Sequence, residues 1–135
     1  MKSYGFIIAT LIIITSCTSK NNLNNNEKPH FSHIQTNFKL TNKNNYPCDT
    51  ISLSDIQHIV NNGQLVNERE IHDHYAITGC SIDGTLLVNK ELYEFTLDYG
   101  GIVYINNGMT LACGEACCHS GFTYCSFDQE KENID

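Results

Sequence analysis

Apolar and polar positions alternate most regularly over residues 91–99, where Tyr93, Phe95, Leu97 and Tyr99 fall on one face and Glu94, Thr96 and Asp98 on the other. A period of two is that of a strand with one wet side. Shorter apolar runs lie at 76–82, 85–88, 102–105 and 109–113, and Asp83-Gly84, Asn89-Lys90, Gly100-Gly101 and Asn106-Asn107-Gly108 stand between them. Runs of this kind separated by turn formers predict an antiparallel meander of about four strands.

Upstream the period lengthens. Ser52-Leu53-Ser54-Asp55 precedes Ile56, Ile59 and Val60, and Gly63 follows, which supplies an N-cap, an acid for a capping box, an apolar stripe and a stop. The spacing over residues 65–75 also fits a helix. One or two short helices can therefore cover the apolar face of the meander, giving a small α+β domain. Residues 18–46 are different: they are rich in Asn and carry apolar residues singly, with no helical or strand period. Such a composition buries too little apolar area to offset its ordering entropy. Residues 18–29 at least are expected to be a flexible tether, and residues 31–40 are compatible with one strand.

The first residues supply a targeting signal. Met1 and Lys2 are followed by an apolar run over residues 5–14 that gives way at Thr15-Ser16-Cys17 to polar residues. A membrane-spanning helix needs about 20 apolar residues, so this run is too short to span and has the form of a secretory signal. The tetrad Ile14-Thr15-Ser16-Cys17 resembles the lipobox of bacterial lipoprotein precursors. That resemblance implies cleavage ahead of Cys17, lipidation of its thiol, and an anchor in a membrane of the cell envelope, with the outer membrane facing the periplasm as the expected site. The expected division is a signal peptide over 1–16, a lipidated Cys17 with its tether over 17–46, a folded domain over 47–128 and an acidic tail over 129–135.

Charge then narrows the partners. Eight Lys and Arg against 15 Asp and Glu give a formal charge of −7, and cleavage ahead of Cys17 would remove one base and no acid, leaving −8. Scattered bases in an acidic chain argue against a nucleic-acid partner, whose phosphates need clustered Lys and Arg. A basic protein partner suits this charge, and the lipid bilayer would be reached through the acylated Cys17.

Candidate chemistry centres on cysteine. With Cys17 lipidated, Cys48, Cys80, Cys113, Cys117, Cys118 and Cys125 remain. An even number in a small exported domain reads as a disulfide framework, although six cysteines allow 15 pairings and spacing does not choose among them. The alternative is a metal site in the 113–125 cluster, since thiolates and imidazole suit zinc or copper. His72 and His74 share a face only on an extended backbone, and with His119 or Asp73 they lack a diagnostic ligand spacing. No catalytic motif or cofactor fingerprint occurs, so no catalytic residue, metal ligand or cofactor is assigned and the protein is not read as an enzyme. The expected function is a protein-binding module of inhibitor or immunity type, with a structural envelope component as the alternative. Glu94 and Asp98 on the wet face of their strand, with Tyr99 projecting at the sheet end, are the expected binding residues.

Overall fold

The structure, a computed structural model, describes residues 28–42, 45, 47–119 and 121–129. The signal peptide, Cys17, residues 18–27 of the tether and residues 130–135 of the acidic tail lie outside the described residues. Among the described residues, eight elements follow in chain order: β1 (Phe31–Asn42), α1 (Leu53–Asn62), β2 (Gln64–Leu65), α2 (Glu68–His74), β3 (Cys80–Val88), β4 (Glu91–Asp98), β5 (Ile102–Ile105) and β6 (Thr110–Ala112). The strands form one antiparallel sheet in the order β1-β3-β4-β5-β6-β2. Its central run β3 to β6 is the four-strand meander read from the sequence, and the molecule is a disulfide-stapled α+β domain.

Two differences in the sheet have physical causes. The Asp83-Gly84 pair, read as a turn, lies inside the single strand β3. Gly84 is opposite Phe95, and a Cβ there would come within 2.6 Å of the Phe95 ring and 2.2 Å of the Gln35 carbonyl oxygen. The glycine marks close approach between neighbouring strands rather than a reversal of the chain. Reversal comes at Asn89-Lys90, both at positive φ (50° and 75°), the backbone of the tight turn that suits the twist of paired strands. The second difference is the start of the fold. Residues Phe31–Asn42 pair with β3 along its outer edge, with register shifts after Ser32 and Thr36, so the sheet takes in a stretch that the composition assigned to the tether. Phe31 enters the core at 9% exposure. Lys28 Nζ donates to the Asn61 carbonyl at 2.8 Å and to that of Gly63, closing the C-terminal end of α1.

Both helices begin as their sequences dictate. Ser52 caps α1, its Oγ accepting from the Asp55 N–H at 3.1 Å. Gly63 ends it without a left-handed backbone; it is small because the Ile59 carbonyl oxygen would lie 2.6 Å from a Cβ. Asn67 and Glu70 form a reciprocal capping box at the start of α2, with N···O distances of 3.0 and 2.7 Å. The helices lie on opposite faces of the sheet. Ile56, Ile59 and Val60 of α1 pack with Leu86, Phe95, Leu97, Val103 and Leu111 in the larger core. Ile71 at α2 and the following Tyr75 pack on Ile102 and Ala112 in a smaller one, which Phe127 flanks. The α2 layer covers only the β5-β6 end of its face. Among the described residues, the face of β3 and β4 beside it is left unroofed.

Three disulfides complete the frame: Cys48–Cys80, Cys113–Cys117 and Cys118–Cys125, with Cα separations of 5.8, 5.0 and 5.6 Å.

Candidate binding face

The unroofed part of the sheet is a concave face of about 540 Å³, and its polar lining comes from alternate residues of three strands. Asp83 and Thr85 come from β3, Glu94 and Thr96 from β4, Tyr104 from β5 and Asn106 from the turn after it. Alternation explains the set. The intervening residues Gly84, Phe95 and Ile105 belong to the buried side of the same strands, so each core residue aims its two neighbours at the groove.

Register then places the charges. Thr85 is opposite Glu94 and Asp83 is opposite Thr96, which makes Asp83 and Glu94 diagonal neighbours, a relation that puts side chains roughly 7–8 Å apart. The Thr96 hydroxyl donates to Asp83 Oδ1 at 2.7 Å and fixes that carboxylate. Glu94 is exposed, and its backbone is held by an exchange with Asn106, whose N–H donates to the Glu94 carbonyl at 3.0 Å and whose Oδ1 accepts from the Glu94 N–H at 3.2 Å. Burial first, and the Asp98 charge second, raise the Tyr104 phenol above its ordinary pKa, so Tyr104 keeps its proton as a hydrogen-bond donor. Among the described residues, none of those lining the groove is Lys or Arg. Two carboxylates thus share a concave polar surface without a cation among its described walls.

Of the binding residues expected from sequence, the structure puts Glu94 in this groove and places the other two elsewhere. Asp98 is 5% exposed. Its carboxylate accepts from the Gly100 N–H at 2.8 Å and from the Thr78 N–H and hydroxyl at 3.1 and 3.2 Å, so its oxygens are occupied inside the protein. Tyr99 does not project at the sheet end: it is 8% exposed and packs edge-on against Tyr124 at 5.3 Å. Asp98 is enclosed by the loop after α2 that carries Thr78, and Tyr99 by the segment after the last strand, which returns over this end of the sheet. Ser126 receives the Ala76 N–H at 3.1 Å and donates to the Gly100 carbonyl at 2.8 Å.

The histidines are divided between two parts of the molecule. His72 and His74 lie on the short helix α2, where residues two apart diverge. His72 Nδ1 is 2.9 Å from Asp73 Oδ1 and Arg69 Nε is 3.5 Å from the other oxygen. The His72 hydrogen bond, helped by Arg69, holds the Asp73 carboxyl below its ordinary range. His74 instead packs near Phe127 at 6.0 Å. His119 stacks edge-on to His58, with ring centroids 4.9 Å apart.

Sequence reasoning missed Asp83 and His58. Asp83 was hidden by the apparent Asp-Gly turn, and the alternation beginning at Ile82 is the signal that finds it. His58 has no local signal, because its neighbours at Cys113 and Cys117 are more than 50 residues away along the chain. The chain matches no protein-family model, no curated protein and no solved structure. Among the described residues no helix is long and apolar enough to cross a membrane.

Proposed function

We propose that the protein is a lipid-anchored envelope protein that captures a basic protein partner on the concave face of its sheet, in the manner of an inhibitor or immunity protein. The observation that supports this reading most is the groove itself. It presents the exposed Glu94 and the hydroxyl-fixed Asp83 with no Lys or Arg among the described residues of its lining, on a sheet stapled by three disulfides. Lys or Arg side chains of a partner would meet both carboxylates, and Tyr104, Thr85 and Asn106 would supply further hydrogen bonds. A pre-formed rigid face limits the ordering cost of association, and the net charge of −8 left by cleavage ahead of Cys17 steers a cationic partner toward it. The anchor rests on the tetrad that ends at Cys17. Lipid attachment would concentrate the domain at the surface where an incoming basic protein acts.

One experiment tests the two halves together. Cells making tagged full-length protein are labelled with a fatty acid, and partners are then recovered from the envelope and from culture supernatants. Wild type should carry the label and recover a basic protein, whereas Cys17→Ala should lose the label. Glu94→Lys should keep the label and the fold but weaken capture about tenfold or more at low salt. The loss should shrink as salt rises, because exposed charges are screened over about 8 Å at physiological ionic strength. Recovery of only peptidoglycan or outer-membrane scaffolding would favour a structural component instead, and an unlabelled wild type would remove the anchor.

A further inference from the structure

The cysteine cluster holds a ligand set that the groove does not use. We propose that reduction of the Cys113–Cys117 disulfide creates a binding site for a divalent soft metal ion of the zinc class, with His58, Cys113 and Cys117 as its protein ligands. The ligand atoms of these three residues lie within 4.8 Å of one another. Zinc binds sulfur at about 2.3 Å and imidazole nitrogen at about 2.0–2.1 Å. Ligands this close therefore need only small side-chain movements once the sulfurs separate.

Local structure would hold the set after the S–S bond opens. The N–H groups of Cys117 and Cys118 both donate to the Gly114 carbonyl, at 3.0 and 2.8 Å, so the turn that brings Cys117 back to Cys113 is closed by hydrogen bonds as well as by sulfur. Cys113 and Cys117 are fully buried in the main core. His58 is positioned from the opposite wall by α1, whose Ile56, Ile59 and Val60 are fully buried. Its Nε2 lies 3.0 Å from the Cys117 carbonyl oxygen, and its Nδ1 lies 3.1 Å from Asn62 Nδ2 one helical turn on. A carbonyl oxygen only accepts, so in the oxidised chain Nε2 carries the proton and Nδ1 accepts from the Asn62 amide. Ligation through Nε2 requires the ring to release the Cys117 carbonyl and move its proton to Nδ1, with the Asn62 amide turned to accept it at the expense of its bond to the His58 carbonyl. A partner on the outer nitrogen is the usual support of a ligating imidazole.

The chemistry balances with an external dithiol as reductant. Its two thiols deliver two electrons and two protons; the Cys113–Cys117 bond breaks, two thiols form, and the reductant closes its own disulfide. A divalent ion then displaces the two thiol protons and binds two thiolates and neutral His58, leaving one position of a tetrahedron for water. Metal and disulfide are thus mutually exclusive states of one turn.

Cobalt(II) titration of the full chain, oxidised and after phosphine reduction, tests this. The reduced chain should show tetrahedral cobalt–thiolate absorption saturating at one equivalent, and the oxidised chain none. His58→Ala should weaken binding by at least the roughly tenfold that even an outer-shell partner contributes. His119→Ala and the double change Cys118→Ser with Cys125→Ser should leave the affinity in place. Absence of the band in the reduced wild type overturns the proposal whether or not the reduced chain stays folded. Equal affinity in His58→Ala, or loss of the band in the Cys118/Cys125 variant, overturns it too.

Discussion

Replacing Cys48 and Cys80 together by Ala is expected to cost the domain more stability than removing either of the other disulfides, about 3.7 kcal/mol by the loop-entropy relation. The bridge joins residues 32 apart in sequence, against 4 and 7 for Cys113–Cys117 and Cys118–Cys125. The same relation gives roughly 1.9 and 2.4 kcal/mol for those short loops. Location reinforces the ranking. The loop closed by Cys48–Cys80 contains α1, β2 and α2, and therefore both helical layers of the sheet. Without the bridge, docking those layers closes a larger loop at full entropic cost, whereas the short bridges constrain turns that backbone hydrogen bonds already favour. Urea unfolding of the three double-Ala variants checks this through their midpoints. Equal or greater loss for the Cys118–Cys125 variant would show that docking of the C-terminal segment, not of the helices, limits stability.

How far the sequence reveals this fold depends on whether the responsible contact is local. Caps are local: Ser52 with Asp55, and Asn67 with Glu70, are three residues apart and can be read directly, as can the meander from its alternation. The Asp83-Gly84 error has a different origin, because the same dipeptide serves a turn or a crowded strand, and only the distant Phe95 ring decides between them. The β1 strand has the same difficulty. Its residues have little apolar periodicity, and its strand form comes from the open edge of β3 against which it lies. The pairing of Cys48 with Cys80 and the approach of His58 to Cys117 depend wholly on tertiary contacts. Of the candidate groove, Glu94 and Thr96 were legible from the wet face of β4, while Asp83 and Tyr104 required the register that places β3 and β5 beside it.

Glu94 and Asp98 share a strand face and a charge, and they are expected to respond oppositely to substitution. Alternation treats them alike because it counts residues along one strand. Burial separates them: Glu94 is exposed between Thr85 and Asn106, whereas Asp98 lies at the strand end where three segments meet. A carboxylate at such a point can satisfy several backbone donors at once, and this one receives the Gly100 N–H, the Thr78 N–H and the Thr78 hydroxyl. It ties the turn after β4 to the loop that follows α2, beside the contacts of Ser126 with Ala76 and Gly100.

Asp98→Ala should therefore lower the unfolding free energy by about 3 kcal/mol, since hydrogen bonds to a charged group contribute roughly 1.5–3 kcal/mol and their loss strands buried donors. Asp98→Asn should lose less, because its amide oxygen still accepts from one or two donors of the Thr78 and Gly100 set while its NH₂ group faces the other. Glu94→Ala should stay within about 0.5 kcal/mol of wild type, as expected for an exposed side chain without a structural partner. Thermal and urea unfolding of the three variants measure these differences, and partner capture measured below the unfolding transition separates fold from recognition. The expected pattern is an Asp98→Ala protein that unfolds early yet binds with wild-type affinity while folded, and a Glu94→Ala protein that is stable and binds weakly. Wild-type stability in Asp98→Ala combined with lost capture would return Asp98 to the interface and reject its role as the node joining the three segments.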